Sequence, residues 1–193
     1  MTEINVKSYA APEFCRSEIL RYAGTSRADE KLSELISECI AEAADALSYK
    51  VCYTELPLAI SGDECDLSLF KVKSKNLAKS LSGAKSVIVF AATVGIGIDR
   101  LIAKYSKLSP AKALIFQAIG AERIEALCDL FSKDEVCGVH TPRFSPGYGD
   151  LPIEVQADIF RLLNAPKRIG LSLNGSMLMS PSKSVTAFIG KKE

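Results

Sequence analysis

The chain has 193 residues, of which 48% are hydrophobic and 24% are charged, and its formal net charge is +1. These values are typical of one ordinary water-soluble domain whose core needs no disulfide or metal to fold. A net charge near zero argues against nucleic acid or an anionic membrane as a partner, because both attract clustered, uncompensated Lys and Arg. The six cysteines form no paired framework, and neither a signal peptide nor a membrane-spanning run is recognisable. The sequence therefore predicts a cytoplasmic protein with reduced thiols.

The first half of the chain is predicted to mix helices and strands. Apolar residues at helical spacing predict helices at residues 12–24, 28–47 and 76–81. Alternating and β-branched residues predict strands at 49–60 and 66–72, separated by a turn at Gly62 and Asp63. The run SVIVFAA, residues 86–92, is continuously apolar and of strand length, which predicts a strand buried on both faces.

The second half is predicted to contain three more helices, at residues 98–105, 110–131 and 153–163, the last stopped by Ala165 and Pro166. Residues 168–174 and 184–190 are predicted to be two closing strands. Helices and strands do not alternate regularly, so the sequence favours an α+β fold with a mainly antiparallel sheet. No repeat or linker divides the chain, and residues 1–193 are expected to form a single domain.

The segment TVGIGID, residues 93–99, follows a predicted strand and precedes a helix, where backbone N–H groups can bind phosphate. Its glycines do not complete G-x-G-x-x-G, because position 100 is Arg, and the chain contains no G-K-[ST]. A tight turn is the favoured interpretation. Asp99 then interacts with the dipole at the first turn of the next helix.

Cys137 and His140 have the spacing of half a zinc site, but the sequence offers no second pair of ligands. His140 is the only histidine, and it lies outside any Asp-x-His-x-x-Gly motif of the kind expected in a corrinoid-binding module. The same scarcity argues against Ser-His-Asp and Cys-His catalysis. No metal site, no catalytic residue and no cobalamin bound to the chain itself are therefore expected.

The segment HTPRFSPGYGDLP, residues 140–152, carries the strongest functional signal. Its prolines fix φ and its glycines permit conformations that other residues avoid, so the loop is stiff and costs little entropy to order on binding. Arg143 can bind a carboxylate through two hydrogen bonds, and Tyr148 offers an aromatic face and a hydroxyl. A ligand with a carboxylate, an amine and an aromatic base would suit it. The structural alternative is that Arg143 pairs with Asp150 or a helix end and that Tyr148 packs in the core.

Two acids lie on the long predicted helix at 110–131. Glu122 is expected on the solvated surface. Glu125 is three residues before Cys128 and close to the apolar face of the helix. Its carboxylate could reach into a cleft and accept hydrogen bonds from a ligand ammonium group.

The motif RFSPGY, residues 143–148, resembles the R-x-x-x-G-Y motif of the activation domain of cobalamin-dependent methionine synthase, which binds S-adenosylmethionine. VIVFAATVGIGIDRLIAKYS resembles the strand and helix before that domain's central helix, QAIGAERIEALCDLF resembles the central helix, and LNGSMLMSPSKSVTAFIG resembles the closing segment. The resemblance covers residues 85–190, and residues 1–84 resemble the N-terminal helices and hairpin of short, stand-alone members. It implies a bent, mainly antiparallel sheet flanked by helices.

The resemblance also implies a set of residues that bind S-adenosylmethionine. Arg143 would bind the methionyl carboxylate, and Glu125 would contact the amino group. The nucleoside would be held by the backbone around Phe144 and by the ring of Tyr148. The serine and the apolar residue of the closing motif are matched by Ser176 and Met177.

Three positions depart from the family's pattern. Gly149 stands where a proline commonly follows the tyrosine, Gly175 stands where a glutamate precedes the serine, and Ser180 stands where a tryptophan precedes Pro181.

The function that the resemblance implies is the reductive methylation of cob(II)alamin on a separate cobalamin-dependent methionine synthase or related corrinoid protein. S-Adenosylmethionine would be the bound methyl donor, cobalamin would come only with the partner, and a flavodoxin-like or ferredoxin-like protein would supply the electron. Two alternatives remain open. One is a non-catalytic docking module for a corrinoid protein with a decayed ligand site, and the other is a small-molecule methyltransferase that uses the turn at 93–99.

Overall fold

The computed structural model describes residues 3–136 and 138–192. Its strands are β1 (Asn5–Tyr9), β2 (Tyr49–Pro57), β3 (Ala59–Ser61), β4 (Glu64–Asp66), β5 (Lys71–Lys73), β6 (Ser86–Thr93), β7 (Val139–His140), β8 (Ser172–Leu173), β9 (Met179–Ser180) and β10 (Ser184–Lys192). Its helices are α1 (Arg16–Tyr22), α2 (Glu30–Ala44), α3 (Lys75–Ser80), α4 (Gly97–Leu108), α5 (Pro110–Glu135), α6 (Val155–Leu163) and α7 (Ala165–Ile169).

The main sheet has five strands in the order β1-β2-β6-β10-β7, and every neighbouring pair is antiparallel. It is curled and flanked by helices, which confirms the predicted α+β fold with a bent, mainly antiparallel sheet. Two small sheets, β3-β4-β5 and β8-β9, lie outside it. Within the described ranges, no helix is long and apolar enough to cross a membrane.

The central strand β6 is buried on both faces, as its apolar run predicts. Because side chains alternate along a strand, Ile88, Phe90 and Ala92 face one core cluster, which includes residues of α2 and α5. Val87 and Val89 face the other cluster, which includes residues of α3 and α6. The sheet therefore separates two layers of helices.

Glu122 is buried, and its predicted position on the solvated surface is wrong. Its carboxylate forms an ion pair with Arg123, which is fully buried, and accepts a hydrogen bond from the Cys15 N–H at 3.3 Å. The Arg123 guanidinium also donates to the carbonyl oxygens of Pro12 at 2.5 Å and Glu13 at 2.6 Å. The segment before α1 therefore covers this face of α5, and periodicity within the helix could not reveal that cover.

Predicted strands also differ from the structure at three places. β1, at the edge of the main sheet, pairs with β2 and was not among the predicted strands. The strand predicted at 66–72 is divided, because a turn with Ser68 at φ 68° separates β4 from β5. The strand predicted at 168–174 is reduced to β8, which pairs with β9 and lies outside the main sheet.

Helix α6 ends at Leu163, as predicted, but Ala165 and Pro166 are not the residues that stop it. Asn164, at φ 49°, ends α6 in the left-handed conformation, and α7 begins at the next residue. A proline fits the first turn of a helix because its missing N–H would have no partner there.

The glycines at 93–99 form a tight turn against the segment that follows α2, in agreement with the favoured interpretation. Gly95 has φ 82°, a region that suits glycine. A Cβ on Gly97 would lie 1.9 Å from the carbonyl oxygen of Ala46, so only glycine fits this approach. Asp99 has a further role, because its carboxylate accepts hydrogen bonds from the N–H and the hydroxyl of Ser182. It thereby connects α4 to the segment that precedes β10.

Candidate functional site

A cavity of about 850 Å³ lies between the second half of α5 and the loop that follows β7. Predicted site residues from distant parts of the chain meet there, namely Glu125, Arg143, Phe144 and Tyr148. The remaining lining residues are Asp129, Ser132, Lys133, His140, Thr141, Pro142, Ser145 and Val185.

The first part of the loop is fixed to β10 by three backbone–backbone hydrogen bonds and one to a side chain. The Thr141 N–H donates to the Gly190 carbonyl oxygen at 2.9 Å, and the Gly190 N–H donates to the Thr141 hydroxyl at 2.9 Å. Phe144 and Phe188 exchange hydrogen bonds of 3.0 and 2.9 Å in both directions. Arg143 lies between these anchors, so the edge of the sheet determines where its side chain leaves the backbone.

The second part of the loop is a compact turn. The Gly147 N–H donates to the Leu151 carbonyl oxygen at 2.9 Å. The Leu151 N–H donates to the Tyr148 carbonyl oxygen at 3.0 Å. Gly147 has φ 89°, which explains a glycine at this position. The turn leaves Tyr148 65% exposed, with its ring centroid 6.4 Å from that of Phe144. The alternative that Tyr148 packs in the core is therefore wrong.

Arg143 forms ion pairs with two acids of α5. Its Nη2 lies 2.8 Å from Glu125 Oε2, and its Nη1 lies 2.5 Å from Asp129 Oδ1. Burial lowers the pKa of Arg143, but the hydrogen bond and charge of Asp129 and the charge of Glu125 more than compensate, and the pKa is raised overall. The guanidinium is thus a permanent cation that α5 orients at the cavity wall.

Asp129 was not among the predicted site residues. It lies four residues after Glu125, and residues at this spacing are neighbours on one helix face. This spacing of four residues from Glu125 is the sequence signal that could have identified Asp129.

Asp150 does not pair with Arg143, whose ion pairs are formed with Glu125 and Asp129 within α5 rather than with Asp150 or a helix end. Its carboxylate accepts hydrogen bonds from the Ser74 hydroxyl at 2.5 Å, from the Lys75 N–H at 2.8 Å and from the Asn76 N–H at 3.1 Å. These donors lie at the start of α3, where a negative charge is favourable. Asp150 therefore fastens the far end of the loop to α3.

Replacing Asp150 with alanine is expected to lower the melting temperature by roughly 2–4 °C at neutral pH, because α3 loses these hydrogen bonds. The hydrogen bond from Ser74 and those from the backbone lower the pKa of Asp150 below its ordinary value of 3.8. Its contribution is therefore complete above that value and is lost as the pH falls through the lowered pKa. Thermal melts from pH 7 to pH 2 would check this. A difference between the two proteins that does not shrink toward pH 2 would contradict it.

A second cavity of about 470 Å³ adjoins the first, because Ser145, Tyr148 and Val185 line both. Its other lining residues carry no charge and are Pro146, Ile153, Gln156, Met177, Leu178, Met179, Ser182, Ser184 and Thr186. The predicted site residue Met177 thus lies beyond Tyr148 as seen from Arg143. Ser176 lines neither cavity, and its N–H donates to Asn174 Oδ1 within a turn.

Other candidate groups near the cavities have different environments. Burial raises the pKa of the Cys128 thiol to about 12, so this thiol stays protonated and is a poor nucleophile. His140 lines the larger cavity, with Nδ1 3.0 Å from the Thr141 carbonyl oxygen. Cys137 lies outside the described residues. Among residues 3–136 and 138–192, no group of three or more His, Cys, Asp or Glu could hold a metal ion.

Together these features define an α+β protein with a curled antiparallel sheet and a charged, ligand-sized cavity beside the edge of β10. Among solved structures, the chain is similar to the MetH reactivation domain bound to AdoHcy, with a TM-score of 0.71. The similarity covers 98% of this chain and 78% of that one, at 15% sequence identity. No family model matches the chain, and no curated protein matches it. At this identity the likeness establishes the fold.

Proposed function

We propose that the chain is an S-adenosylmethionine-binding module that supports the reductive methylation of cob(II)alamin on a separate cobalamin-dependent methionine synthase or related corrinoid protein. One observation carries the proposal. Arg143, Glu125 and Tyr148 meet at one cavity, in a fold that is shared with a reactivation domain solved with AdoHcy.

The charges at the larger cavity fit the amino-acid part of this ligand. The guanidinium of Arg143 is suited to a carboxylate, and the carboxylates of Glu125 and Asp129 are suited to an ammonium group. The ring of Tyr148 and the backbone around Phe144 are the groups that the proposal assigns to the nucleoside. When bound, S-adenosylmethionine supplies the electrophilic methyl group, while these residues bind it and orient it.

The proposal assigns cobalamin to the partner and the electron to a flavodoxin-like or ferredoxin-like donor, with all three proteins in the cytoplasm. The exposure of Tyr148 supports this arrangement, because its ring lies where an approaching protein could contact it. The chain itself needs no general base for this role, since methyl transfer to cobalt removes no proton.

Calorimetric titration with S-adenosylmethionine and with S-adenosylhomocysteine tests the ligand. Saturable binding of both at one site per chain is the expected result. Addition of the chain, S-adenosylmethionine and a reductant to a cob(II)alamin-loaded corrinoid protein should then restore its methylated state, as followed by absorbance. The absence of heat with both ligands would overturn the proposal. Binding to the corrinoid protein without affinity for either ligand would indicate a docking module instead.

A further inference from the structure

Gln156 is a buried polar residue on the wall of the smaller cavity, with 4% of its surface exposed. Its Oε1 accepts a hydrogen bond from the Thr186 hydroxyl at 3.2 Å, and its Nε2 donates to the Met177 carbonyl oxygen at 3.0 Å. A carbonyl oxygen only accepts, so the amide is fixed with its nitrogen toward Met177. The side chain therefore presents its donor and its acceptor in one orientation.

The hydroxyl groups beside Gln156 are engaged within the protein. Ser182 donates to Asp99 at 2.5 Å, Ser184 donates to the Pro181 carbonyl oxygen at 2.8 Å, and Thr186 donates to Gln156 itself. An amide nitrogen carries two hydrogens, and the contacts among the described residues use one on Gln156. The second hydrogen has no partner among the described residues, and Gln156 lines the smaller cavity, so this hydrogen is available to a ligand there.

The rest of the wall suits an uncharged ring. Ile153, Leu178 and the methionines at 177 and 179 supply apolar and thioether contacts, and thioether sulfur packs well against aromatic rings. Tyr148 lines both cavities, so one elongated ligand can place its charged end at Arg143 and its ring beside Gln156.

We infer that Gln156 determines ring specificity, by donating a hydrogen bond from Nε2 to an acceptor nitrogen of a neutral heteroaromatic ring in the smaller cavity. The inference rests on the proposed function and assigns the base of the ligand to this cavity. A site that hydrogen-bonds a ligand atom rejects analogues that lack that atom, because a buried donor is then left unpaired.

The test measures the affinities of S-adenosylhomocysteine and its 1-deaza, 3-deaza and 7-deaza analogues for the wild-type protein and for Gln156→Leu. One analogue should bind the wild type about 5- to 10-fold more weakly than the parent. S-Adenosylhomocysteine should bind Gln156→Leu more weakly than it binds the wild type, by a similar factor. The weak-binding deaza analogue and S-adenosylhomocysteine should then have equal affinities for Gln156→Leu. A purely structural role would weaken all four ligands equally in the variant and would leave the wild type insensitive to the replaced nitrogen.

A second ligand tests the two cavities separately. 5′-Methylthioadenosine lacks the amino-acid part, so its affinity should fall in Gln156→Leu and stay unchanged in Arg143→Ala. Equal binding of every deaza analogue to the wild type would overturn the inference and leave the proposed function standing. Failure of the wild type to bind S-adenosylhomocysteine would overturn both. The wild-type analogue series decides the question even if Gln156→Leu does not fold.

Discussion

Replacing Arg143 with alanine is expected to weaken the binding of S-adenosylmethionine by at least about 30-fold, or about 2 kcal/mol. The substitution removes the group that binds the ligand carboxylate through two hydrogen bonds. It also removes the cation that now pairs with Glu125 and Asp129, so that only the ammonium group of the ligand offsets these two charges near its carboxylate. The lost attraction and the new repulsion act in the same direction. Calorimetric titration of the variant measures the effect.

Two further variants control for charge and for folding. Arg143→Lys keeps the charge but not the two-pronged geometry, so its affinity should lie between those of the wild type and Arg143→Ala. Arg161→Ala removes an arginine and its ion pair with Asp158 from a position that is 79% exposed and lines neither cavity. Its affinity should equal that of the wild type. Wild-type affinity in Arg143→Ala would place the ligand elsewhere.

Replacing Arg123 with methionine is expected to lower the free energy of unfolding by about 3–5 kcal/mol. The change leaves the Glu122 carboxylate buried without its cation. It also leaves the carbonyl oxygens of Pro12 and Glu13 without their donor and removes the guanidinium that lies 4.1 Å from the centre of the Phe14 ring. Urea denaturation of the wild type and the variant measures the loss.

The double variant Glu122→Gln with Arg123→Met separates the buried charge from the lost packing. Neutralising Glu122 removes the uncompensated charge, so the double variant should be more stable than Arg123→Met alone. A double variant that is less stable than the single one would show that the charge is not the source of the loss. A loss of less than about 1 kcal/mol in the free energy of unfolding of Arg123→Met would lead to the same conclusion.

Features that depend on neighbours in sequence could be predicted. The apolar run of β6 specifies a strand buried on both faces wherever it is placed. The prolines and glycines of residues 140–152 predict a stiff loop, on which Arg143 and Tyr148 are predicted to bind a ligand. Their meeting with Glu125 at one cavity agrees with the predicted set, while their roles toward a ligand stay predictions.

Features that depend on distant segments could not be predicted. Glu122 is buried because Cys15 and its neighbours, more than a hundred residues earlier, cover it. Nothing in the sequence around Gln156 indicates that its amide joins α6 to Met177 and Thr186. Such contacts form when segments that are distant in the sequence come together in the fold, and a local sequence pattern cannot predict them.

Because α5 is one continuous helix, the buried ion pair and the acids at the larger cavity move together. The helix is 26 residues long, about 39 Å, and it carries both the buried pair at Glu122 and Arg123 and the acids Glu125 and Asp129. Arg123 and Glu125 are separated by less than one helical turn, and Asp129 lies one turn after Glu125. A rotation of α5 that improves the packing of the N-terminal segment therefore moves both acids relative to Arg143. Substitutions that change how the N-terminal segment packs on α5 are therefore expected to change the geometry of the Arg143 ion pairs as well.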